Sequence, residues 1–563
     1  MIKHWEPQPF DNSNLPTLMS ETKLSPLICQ LLLQRGITSS ADTKRFFDPK
    51  LSELHDPFLM RDMYVAVGRI NQAIASQEPI LIYGDYDVDG VCSVSMMYHF
   101  LQKHHQDLHF YIPDRYQEGY GISMEGIHFA NEHEVKLIIA IDCGIRAVEQ
   151  VAFAKKLDIE MIVCDHHLPG EQLPEAIAIL NPKQANCDYP YKELCGCAVA
   201  FKLAQALSIT NEWPTDNYLQ LLDLVAIATS CDIVPLLDEN RILVHQGVPL
   251  IEKANRTGIS ALLKISQRTK PISVSDIVFG LGPMINAAGR LGDAKEAVYL
   301  LLSQNEEEAL EQALYLHQQN EERKLLNQEM ARDAIVLLEK EDDSRKSIVL
   351  FQANWHKGIV GIVASRLVDK YHKPAIVLAE SAGTAVGSAR SISGFDINAL
   401  IGKCSDLLTT YGGHKYAAGL TLPLENVTPF KERIEELLET EQLPEPAIKY
   451  ALELPLKEIN FEFYEALKKF APFGPTNRNP VFLSTSVYLH SEPKVLKESH
   501  LKFQVTNDNT KETLSCIAFN QADALPLLQE REPFDVCYNL MENNWKGIRS
   551  LQLNIKAIRR STS

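Results

Sequence analysis

The fold and the chemistry of this chain can be worked out from one stretch of its sequence, Ile80-Leu-Ile-Tyr-Gly-Asp85-Tyr-Asp87-Val-Asp89-Gly90. The apolar run from Pro79 to Tyr83 predicts a buried strand, and a helical pattern from Val91 to Lys103 follows the acids. Three carboxylates at alternate positions repel one another unless a cation lies between them, and hard divalent ions prefer oxygen ligands. An ordinary turn is the alternative, because Asp and Gly both favour turns.

Strand and helix patterns alternate from about residue 56 to residue 250, which predicts a mostly parallel sheet with helices on both faces. Binding sites in such sheets lie at the carboxyl ends of the strands. A helix is predicted over Ile145–Leu157, between the third and fourth strands. The predicted strands are Ile80–Tyr83, Leu108–Ile112, Val135–Ile141, Ile159–Cys164 and Ile177–Leu180.

Further acids and two histidines lie at these strand ends. Asp142 follows the third predicted strand, Asp165-His166-His167 follows the fourth, and an apolar run from Leu221 ends at Asp232. Taken singly, they can be a turn, a solvent-facing histidine pair, and a helix cap or core hydrogen-bond acceptor. Together with the first three acids they predict ligands for two Mn²⁺ or Mg²⁺ ions, of which Mn²⁺ tolerates His better. Two such ions about 3.5–4 Å apart can activate a water and stabilise the leaving oxygen of a phosphate ester.

The composition indicates a chain of several domains without a membrane span. For 563 residues, about three or four domains of roughly 150 residues are expected. No apolar run approaches the ~18 residues of a spanning helix, and the first residues lack the pattern of a signal peptide. The 11 cysteines are scattered, and the close pair Cys195-Gly-Cys197 has no partner pair at zinc spacing. This usage predicts core cysteines in a reducing cytoplasm.

The net charge of −18 argues against a protein that coats nucleic acid nonspecifically. It is compatible with a nucleic-acid enzyme whose basic residues line one channel. Acids that bind metals are included in this charge, although bound ions neutralise them. From Lys449 to the end, 15 basic residues accompany 13 acidic ones, so the C-terminal part is the less acidic one.

The remaining chain divides by its patterns into further parts. A Glu- and Gln-rich helical pattern without Pro or Gly predicts a long connector helix, and the second α/β unit after it contains the Gly-rich loop Tyr411–Gly419. Five short strand patterns beyond the linker Leu443–Pro446 fit a small barrel such as an OB-fold. The predicted domains are residues 1–55 (N-terminal helical segment), 56–300 (catalytic domain), 301–342 (connector helix), 343–442 (second α/β domain) and 443–563 (OB-like barrel).

Aromatic and basic side chains of the barrel region are candidates for contact with a single strand. Phe503, Tyr538 and Trp545 can stack on bases. Phe503 and Tyr538 can equally fill the interior of the barrel. The lysines that can follow a nucleic-acid backbone are Lys494, Lys497, Lys502 and Lys546.

Four motifs resemble, in this order, those of the DHH phosphoesterase superfamily. They are Gly84–Gly90, Ile141–Gly144, Asp165–His167 and Cys231–Pro235. The first motif, in its form with Asp85, is similar to that of the RecJ branch, whose members are single-strand-specific 5′→3′ exonucleases. The resemblance implies an α/β fold with a parallel-sheet DHH domain, a long connecting helix, a second α/β domain of the DHHA1 type and a C-terminal OB-like β-barrel.

The resemblance to the RecJ branch extends well beyond these motifs. Pro113–Arg115 and Glu118–Gly121 are similar to the segment after the second strand of that branch. Gly282–Arg290 resembles a further motif of the branch, in which Met284 replaces the usual Arg. Segments similar to the DHHA1 domain are Trp355–Leu367, Gly387–Ser391 and Tyr411–Gly419, and Asn544–Leu553 resembles the RecJ barrel.

The resemblance also implies roles for individual residues. Asp142 would bridge the two metal ions, and Asp85 takes the place of a His that other branches use. His167 would face the scissile phosphate, and Asp165 would orient the histidine pair, so that the expected catalytic residues are His167, Asp142 and Asp165. The expected metal ligands are Asp85, Asp87, Asp89, Asp142, His166 and Asp232.

Five residues are expected to bind the substrate, namely Arg115, Arg290, Ser388, Arg390 and His414. Three of them, Arg115, Ser388 and Arg390, match a 5′-phosphate pocket of the RecJ branch. Arginines and a hydroxyl can supply several charge-assisted hydrogen bonds to one phosphate. The alternative is that Arg115 pairs with Glu118, and Arg390 with Asp396, at the surface.

These features predict a two-metal exonuclease that degrades single-stranded DNA 5′→3′ to 5′-mononucleotides. The resemblance alone implies a role in recombinational and mismatch repair. The resemblance implies a cytoplasmic monomer that acts beside single-strand-binding protein and a helicase. A phosphodiesterase for short oligonucleotides or cyclic dinucleotides is the first alternative, and the predicted barrel argues against it, since a tiny substrate needs no such surface. A catalytically dead scaffold is the second alternative, and the complete set of acids and histidines argues against it.

Overall fold

A five-stranded parallel sheet forms the centre of the first domain in the computed structural model, which describes residues 4–340, 344–507, 513–545 and 547–561. The strand order is β2-β1-β3-β4-β5. All residues of β1 and β3 are buried, as expected for strands that helices cover on both faces. The strands are β1 (Ile80–Gly84), β2 (Leu108–Tyr111), β3 (Leu137–Ile141), β4 (Glu160–Cys164) and β5 (Ala178–Leu180).

The register of the sheet brings the strand ends together. Gly84 at the end of β1 lies opposite Ile141 at the end of β3, and Ile141 lies opposite Cys164 at the end of β4. The acids that follow these three residues therefore leave the sheet at one edge. This arrangement confirms the predicted parallel α/β fold.

Four helices of the first domain position site residues. The helix predicted from Val91 begins earlier, because the side chain of Asp87 accepts hydrogen bonds from the backbone N–H groups of Asp89 and Gly90 and so caps it. The apolar run from Leu221 is a helix that ends just before Asp232. The four helices are α1 (Val88–Leu101), α2 (Gly196–Thr210), α3 (Leu222–Cys231) and α4 (Gly282–Leu291).

The predicted connector is a single helix, α5 (Glu306–Leu338), whose first turn is capped by the side chain of Asn305. Its first half contributes Ala313 and Leu316 to the core of the first domain, and its second half contributes Met330 and Ala334 to the core of the second. The helix is therefore part of the hydrophobic cores of both domains and connects them directly. The predicted end at residue 342 lies outside the described residues.

The second domain is built on a mixed five-stranded sheet in the order β9-β10-β8-β7-β6. Helix α6 packs on one face of this sheet, and α7 packs on the other. The elements are β6 (Ile348–Gln352), α6 (Val360–Tyr371), β7 (Ala375–Ser381), β8 (Thr384–Arg390), β9 (Thr410–His414), β10 (Ala417–Pro423) and α7 (Val427–Glu439).

The C-terminal domain is a closed barrel, because β14 pairs with β11 as well as with β15. Phe503 and Tyr538 are 2% and 0% exposed, so of the two alternatives the filling of the barrel is confirmed and the stacking on bases is wrong. The side chain of Trp545 and the whole of Lys546 lie outside the described residues. The strands are β11 (Phe482–Leu496), β12 (His500–Thr506), β13 (Thr513–Ala518), β14 (Phe534–Trp545) and β15 (Ile548–Arg560).

The N-terminal segment is helical and packs against the barrel. Leu18, Ile28 and Leu31 share one hydrophobic core with the barrel residues Phe482 and Val536. The short strand His4–Pro7 also pairs in parallel with Ala447–Tyr450. The helices of this segment are Leu15–Thr22, Pro26–Leu33 and Ser40–Phe47.

The remaining helices lie around these three cores. Among the described residues, none of the helices combines the length and the apolar character that crossing a bilayer requires. Their bounds are Met63–Ser76, Met124–Glu132, Val148–Lys156, Asp216–Leu219, Asp238–Lys253, Thr257–Ile265, Val274–Asp276, Ile277–Leu281, Lys295–Leu302, Ile397–Gly402, Phe461–Lys468 and Leu525–Gln529.

Candidate metal and phosphate site

Three buried acids mark the edge of the parallel sheet. Asp85, Asp142 and Asp165 follow β1, β3 and β4 and are almost completely buried. The backbone of Asp142 has a φ of 62°, a left-handed conformation that Asp tolerates better than most residues. Gly196 allows the start of α2 to approach this turn, since a Cβ atom there would lie 2.6 Å from the Cβ of Asp142.

The start of α2 holds a fourth acid. The carboxylate of Asp89 accepts hydrogen bonds from the backbone N–H groups of Gly196, at 2.7 Å, and Cys197, at 2.9 Å. Helix N-termini stabilise anions in this way. Burial and the charge of Asp87 nevertheless raise the pKa of Asp89 to about 6. A nearby positive charge would therefore lower this pKa and further favour the ionised carboxylate.

His166 lies between two further carboxylates. Its Nε2 atom is 3.2 Å from Oδ1 of Asp142 and 3.5 Å from Oδ2 of Asp232. Burial is the main cause that lowers the pKa of His166 to about 3, so the imidazole is neutral. Burial and the neighbouring carboxylates raise the pKa of both Asp142 and Asp232 well above the ordinary value.

The atoms of this cluster lack partners within the described part of the chain. No hydrogen bond there satisfies Oδ2 of Asp85, Oδ1 of Asp142, Oδ2 of Asp232 or either ring nitrogen of His166. Buried polar atoms are normally satisfied, so a group of unpaired acceptors indicates a missing cation. Asp89, His166 and Asp232 can offer ligand atoms within 4.8 Å of one another, as can Asp142, His166 and His167. The donor set, carboxylates with imidazole, fits divalent ions such as Mn²⁺ or Mg²⁺.

Asp165 is engaged in orienting the histidine pair. Its Oδ1 accepts hydrogen bonds from the backbone N–H groups of His166, at 2.7 Å, and His167, at 3.0 Å, and lies 2.8 Å from Nδ1 of His167. Burial alone would lower the pKa of His167, but the hydrogen bond to Asp165 and nearby carboxylates raise it above the ordinary value. This geometry suits the orienting role expected for Asp165, and the catalytic roles of both residues stay predictions.

A cluster of arginines lies near Asp85, whose pKa is raised mainly by burial, a rise that the charge of Arg115 opposes. Burial and three neighbouring guanidinium groups lower the pKa of Arg290 to about 10. One guanidinium Nη1 of Arg390 donates to the hydroxyl of Ser388 at 2.7 Å, and Nη1 of Arg290 donates to the carbonyl of Gly358 at 3.0 Å. The three neighbours of Arg290 are Arg115, Arg323 and Arg390.

The surface ion pairs considered as alternatives are absent from the described residues. The carboxylate of Glu118 instead accepts hydrogen bonds from Tyr111 and Ser123, and Asp396 caps the helix Ile397–Gly402. Within the same residues, no carboxylate forms an ion pair with any of the four arginines. Such an unneutralised group of positive charge is suited to a phosphate dianion.

His414 faces the histidine pair from the second domain. His414 lines a cavity of about 870 Å³ together with His166 and His167. It also lines a second cavity of about 590 Å³ together with Tyr120 and His167. Gly413 is required beside His414, because its φ is 152° and a Cβ atom would collide with the carbonyl of Ala417. The cleft between the domains therefore passes directly over the candidate metal site.

Sequence reasoning assigned no role to three residues near the site. The hydroxyl of Tyr120 donates to the carbonyl of Asp142 at 3.2 Å and lies 3.1 Å from Nε2 of His167. Arg323 belongs to the predicted connector helix, whose pattern indicates no site, whereas in the structure its charge acts on Arg290. Lys183 follows the last strand of the sheet, and its position at the carboxyl edge is the signal that could have found it.

Family models match three parts of the chain and define its class. They are described as the DHH family N-terminal domain, over residues 79–229, the DHHA1 domain, over residues 344–440, and the RecJ OB domain, over residues 450–557. The chain is therefore a DHH-domain protein that carries both accessory domains.

Its relatives identify the family more closely. "Single-stranded-DNA-specific exonuclease RecJ" of Bacillus subtilis (strain 168) is 38% identical over 559 residues, covering 98% of this chain and 70% of that protein. The chain belongs to the RecJ family, which confirms the resemblance seen in the sequence. The structure of RecJ from Thermus thermophilus in complex with Mn²⁺ has a TM-score of 0.86 at 28% identity, covering 100% of this chain and 80% of that one. The same protein in complex with Mg²⁺ has a TM-score of 0.80 at 26% identity, covering 100% and 79%.

Proposed function

We propose that this protein is an exonuclease that degrades single-stranded DNA 5′→3′ to 5′-mononucleotides with two divalent metal ions, Mn²⁺ or Mg²⁺. The observation that carries the proposal is that a candidate metal site and a cluster of arginines lie close to each other. Buried carboxylates and a neutral imidazole without partners lie next to arginines without acidic partners, among the residues that the structure describes. The names of its relatives support the choice of single-stranded DNA as substrate.

Six residues are proposed to hold the two ions, with Asp142 shared between them. When bound, such ions supply positive charge that favours deprotonation of a water and stabilises charge on the reacting phosphate. His166 can act as a metal ligand, because with a pKa of about 3 its imidazole is neutral at neutral pH and one ring nitrogen has a free lone pair. The six proposed ligands are Asp85, Asp87, Asp89, Asp142, His166 and Asp232.

His167 is proposed to contact the scissile phosphate. Its Nδ1 is engaged by Asp165, so Nε2 is the nitrogen proposed to exchange its contact with the hydroxyl of Tyr120, at 3.1 Å, for a phosphate oxygen. Because the pKa of His167 lies above the ordinary value, its ring can carry a proton and donate a hydrogen bond to a phosphate oxygen. This donation would stabilise the transition state as charge moves toward the leaving 3′-oxygen.

The arginine cluster is proposed to bind the 5′-terminal phosphate. A terminal phosphate carries more negative charge than an internal one, so an unneutralised cluster discriminates between them. Arg115, Ser388 and Arg390 are the proposed contacts, with Arg290 and His414 as further substrate-binding residues. Holding the terminus at a fixed place beside the metal site explains why single nucleotides would be released.

The barrel is proposed to hold the strand beyond the active site, which favours an exonuclease of long strands over a phosphodiesterase of dinucleotides. The family resemblance further suggests that the protein acts in recombinational and mismatch repair, as a monomer in the cytoplasm, beside single-strand-binding protein and a helicase. The complete ligand cluster argues against a dead scaffold.

A digest of end-blocked strands tests the proposed function. Single strands blocked at the 5′ end, blocked at the 3′ end or unblocked are incubated with the protein and Mn²⁺, and a chelator replaces Mn²⁺ in the control. We expect mononucleotides from unblocked and 3′-blocked strands only, and none with the chelator. Release from 5′-blocked strands would contradict the polarity, and release of dinucleotides or longer products would contradict the proposed stop at the terminus.

A further inference from the structure

The loop after β5 holds a lysine next to the histidine pair. Asn181 is completely buried, and its side-chain amide donates to the carbonyl of His167 at 2.9 Å. The amide oxygen of Asn181 accepts from the backbone N–H of Lys183 at 2.8 Å. Gln184 fixes the loop further by donating to the carbonyl of Ile179 at 2.7 Å. These hydrogen bonds therefore fix the position of Lys183 beside the histidine pair.

The side chain of Lys183 lines the cavity of about 870 Å³, together with His166, Asp232 and Lys192. Its Nζ lies 3.1 Å from a carboxylate oxygen of Glu193, which is half exposed. Burial and the other carboxylates raise the pKa of Asp232, and the positive charge of Lys183 opposes that rise, which places the ammonium group near the proposed metal ligands. The proposed function gives this lysine no task.

Lys183 and the arginines lie near different carboxylates of the cluster. Lys183 lines the same cavity as Asp232, at the end of α3, and none of the four arginines lines that cavity. The charge of Arg115 instead acts on Asp85, at the end of β1. If the arginines hold the 5′ phosphate, the first nucleotide spans the distance to the scissile phosphate. The rest of the strand, on the 3′ side of the scissile phosphate, must then leave the site near Lys183 and Asp232.

We propose that Lys183, assisted by Lys192, binds the first phosphate on the 3′ side of the scissile phosphate. This inference rests on the proposed function and names a contact that the function alone does not require. Among the described residues, Nζ of Lys192 donates one hydrogen bond, to the carbonyl of Cys187 at 2.6 Å, and its ammonium group retains further donors. On binding, the phosphate replaces Glu193 as the partner of Lys183.

The proposed contact can be tested with two substrates of different length, of which only the longer one contains the phosphate that Lys183 would bind. A 5′-phosphorylated dinucleotide contains only the terminal and the scissile phosphate, whereas a 5′-phosphorylated trinucleotide adds the phosphate that Lys183 would bind. We expect the parent to have a lower KM for the trinucleotide. Lys183→Ala should raise the KM of the trinucleotide about tenfold, equivalent to ~1.4 kcal/mol, and raise that of the dinucleotide much less.

Three further variants make the test specific. Lys183→Arg should retain most of the preference for the trinucleotide, because it keeps the charge. Glu193→Gln should strengthen that preference, because it removes the competing carboxylate. Lys155→Ala is the matched control, since Lys155 also pairs with a glutamate, Glu175, at 3.1 Å, but its exposed side chain does not line the cavity.

The outcomes distinguish this inference from the proposed function. A parent protein that cleaves neither oligonucleotide with Mn²⁺ overturns the proposed function, and the inference with it. A parent that cleaves both, with a trinucleotide preference that Lys183→Ala does not reduce, overturns the inference alone. Equal increases in KM for both substrates would assign Lys183 to the metal cluster and would also overturn it.

Discussion

Nε2 of His166 lies 3.2 Å from Oδ1 of Asp142, and neither atom has a hydrogen-bond partner within the described part of the chain. The imidazole is neutral, and four further carboxylates act on Asp142, namely those of Asp87, Asp89, Asp165 and Asp232. A buried arrangement of this kind is costly without a cation, because unpaired polar groups and like charges both destabilise a protein interior. The relationship between these two residues is therefore the clearest sign of a metal site.

Asp142→Ala should abolish hydrolysis and leave strand binding largely intact. A ligand shared by two ions serves the chemistry, whereas the strand is held mainly by basic side chains. We expect turnover to fall by at least about a thousandfold, in keeping with the loss of a main electrostatic contribution, and the Kd for a single strand to change little. Turnover within tenfold of the parent at saturating Mn²⁺ would argue against the shared-ligand role.

Asp142→Asn should raise the stability of the metal-free protein. The substitution removes one carboxylate from a buried cluster of acids and keeps nearly the same shape. We expect Tm in the presence of a chelator to rise by a few degrees, as a gain of about 1 kcal/mol gives in domains of this size. Mn²⁺ should stabilise the parent more than the variant, because ligand binding adds to the free energy of unfolding. A lower Tm of the metal-free variant would show that Asp142 stabilises the fold without a cation.

Arg390→Ala should reduce the preference for a 5′-phosphate over a 5′-hydroxyl. Loss of one charge-assisted contact of ~2 kcal/mol predicts a preference reduced about thirtyfold, since ~1.4 kcal/mol corresponds to one decade. Arg390→Lys should restore it only in part, because Lys lacks the planar fork of donors. Arg433→Ala, at an exposed arginine of the same domain, is the control. If both substrates slow equally, Arg390 does not recognise the terminus.

Replacement of Lys494 and Lys502 by Ala should weaken the binding of long single strands. Both side chains are exposed and lie opposite each other on β11 and β12. Each lost phosphate contact should reduce the slope of log K against log salt by about 0.7. Oligomers of a few nucleotides should be bound as before, and Lys449→Ala, at an exposed lysine outside the barrel strands, is the control. An unchanged affinity and slope would mean that this face does not contact the strand.

Substitution is preferable here to removal of the whole barrel. The N-terminal helices share a core with the barrel through Leu18, Ile28 and Leu31. A chain cut near Leu443 would expose these residues to water. Its loss of activity could then result from misfolding as well as from weaker strand binding.

The central sheet and its acids could be predicted because their signals are local. Continuous apolar runs indicate strands buried on both faces, and the position of Asp85, Asp142 and Asp165 directly after such runs places them at one edge. The start of α1 was placed too late, because Asp87 acts as a helix cap in addition to its expected role as a ligand.

Contacts between residues far apart in the sequence could not be predicted, because no local sequence pattern indicates them. Arg241 donates to the carbonyls of Phe46 and Phe470 and so joins three segments, but no periodicity indicates this. The burial of Phe503 and Tyr538 also depends on barrel closure, which a strand pattern alone does not determine. The sets of residues around Lys183 and Arg323 likewise form only when the chain is folded.

The most direct test of the metal site is anomalous diffraction from crystals of the protein grown or soaked with Mn²⁺. We predict two anomalous peaks within the cluster formed by the six proposed ligands, with Asp142 in contact with both, and loss of at least one peak in Asp142→Ala. The six ligands are Asp85, Asp87, Asp89, Asp142, His166 and Asp232. Peaks elsewhere, or no peak in this cluster at Mn²⁺ concentrations that saturate hydrolysis, would contradict the account.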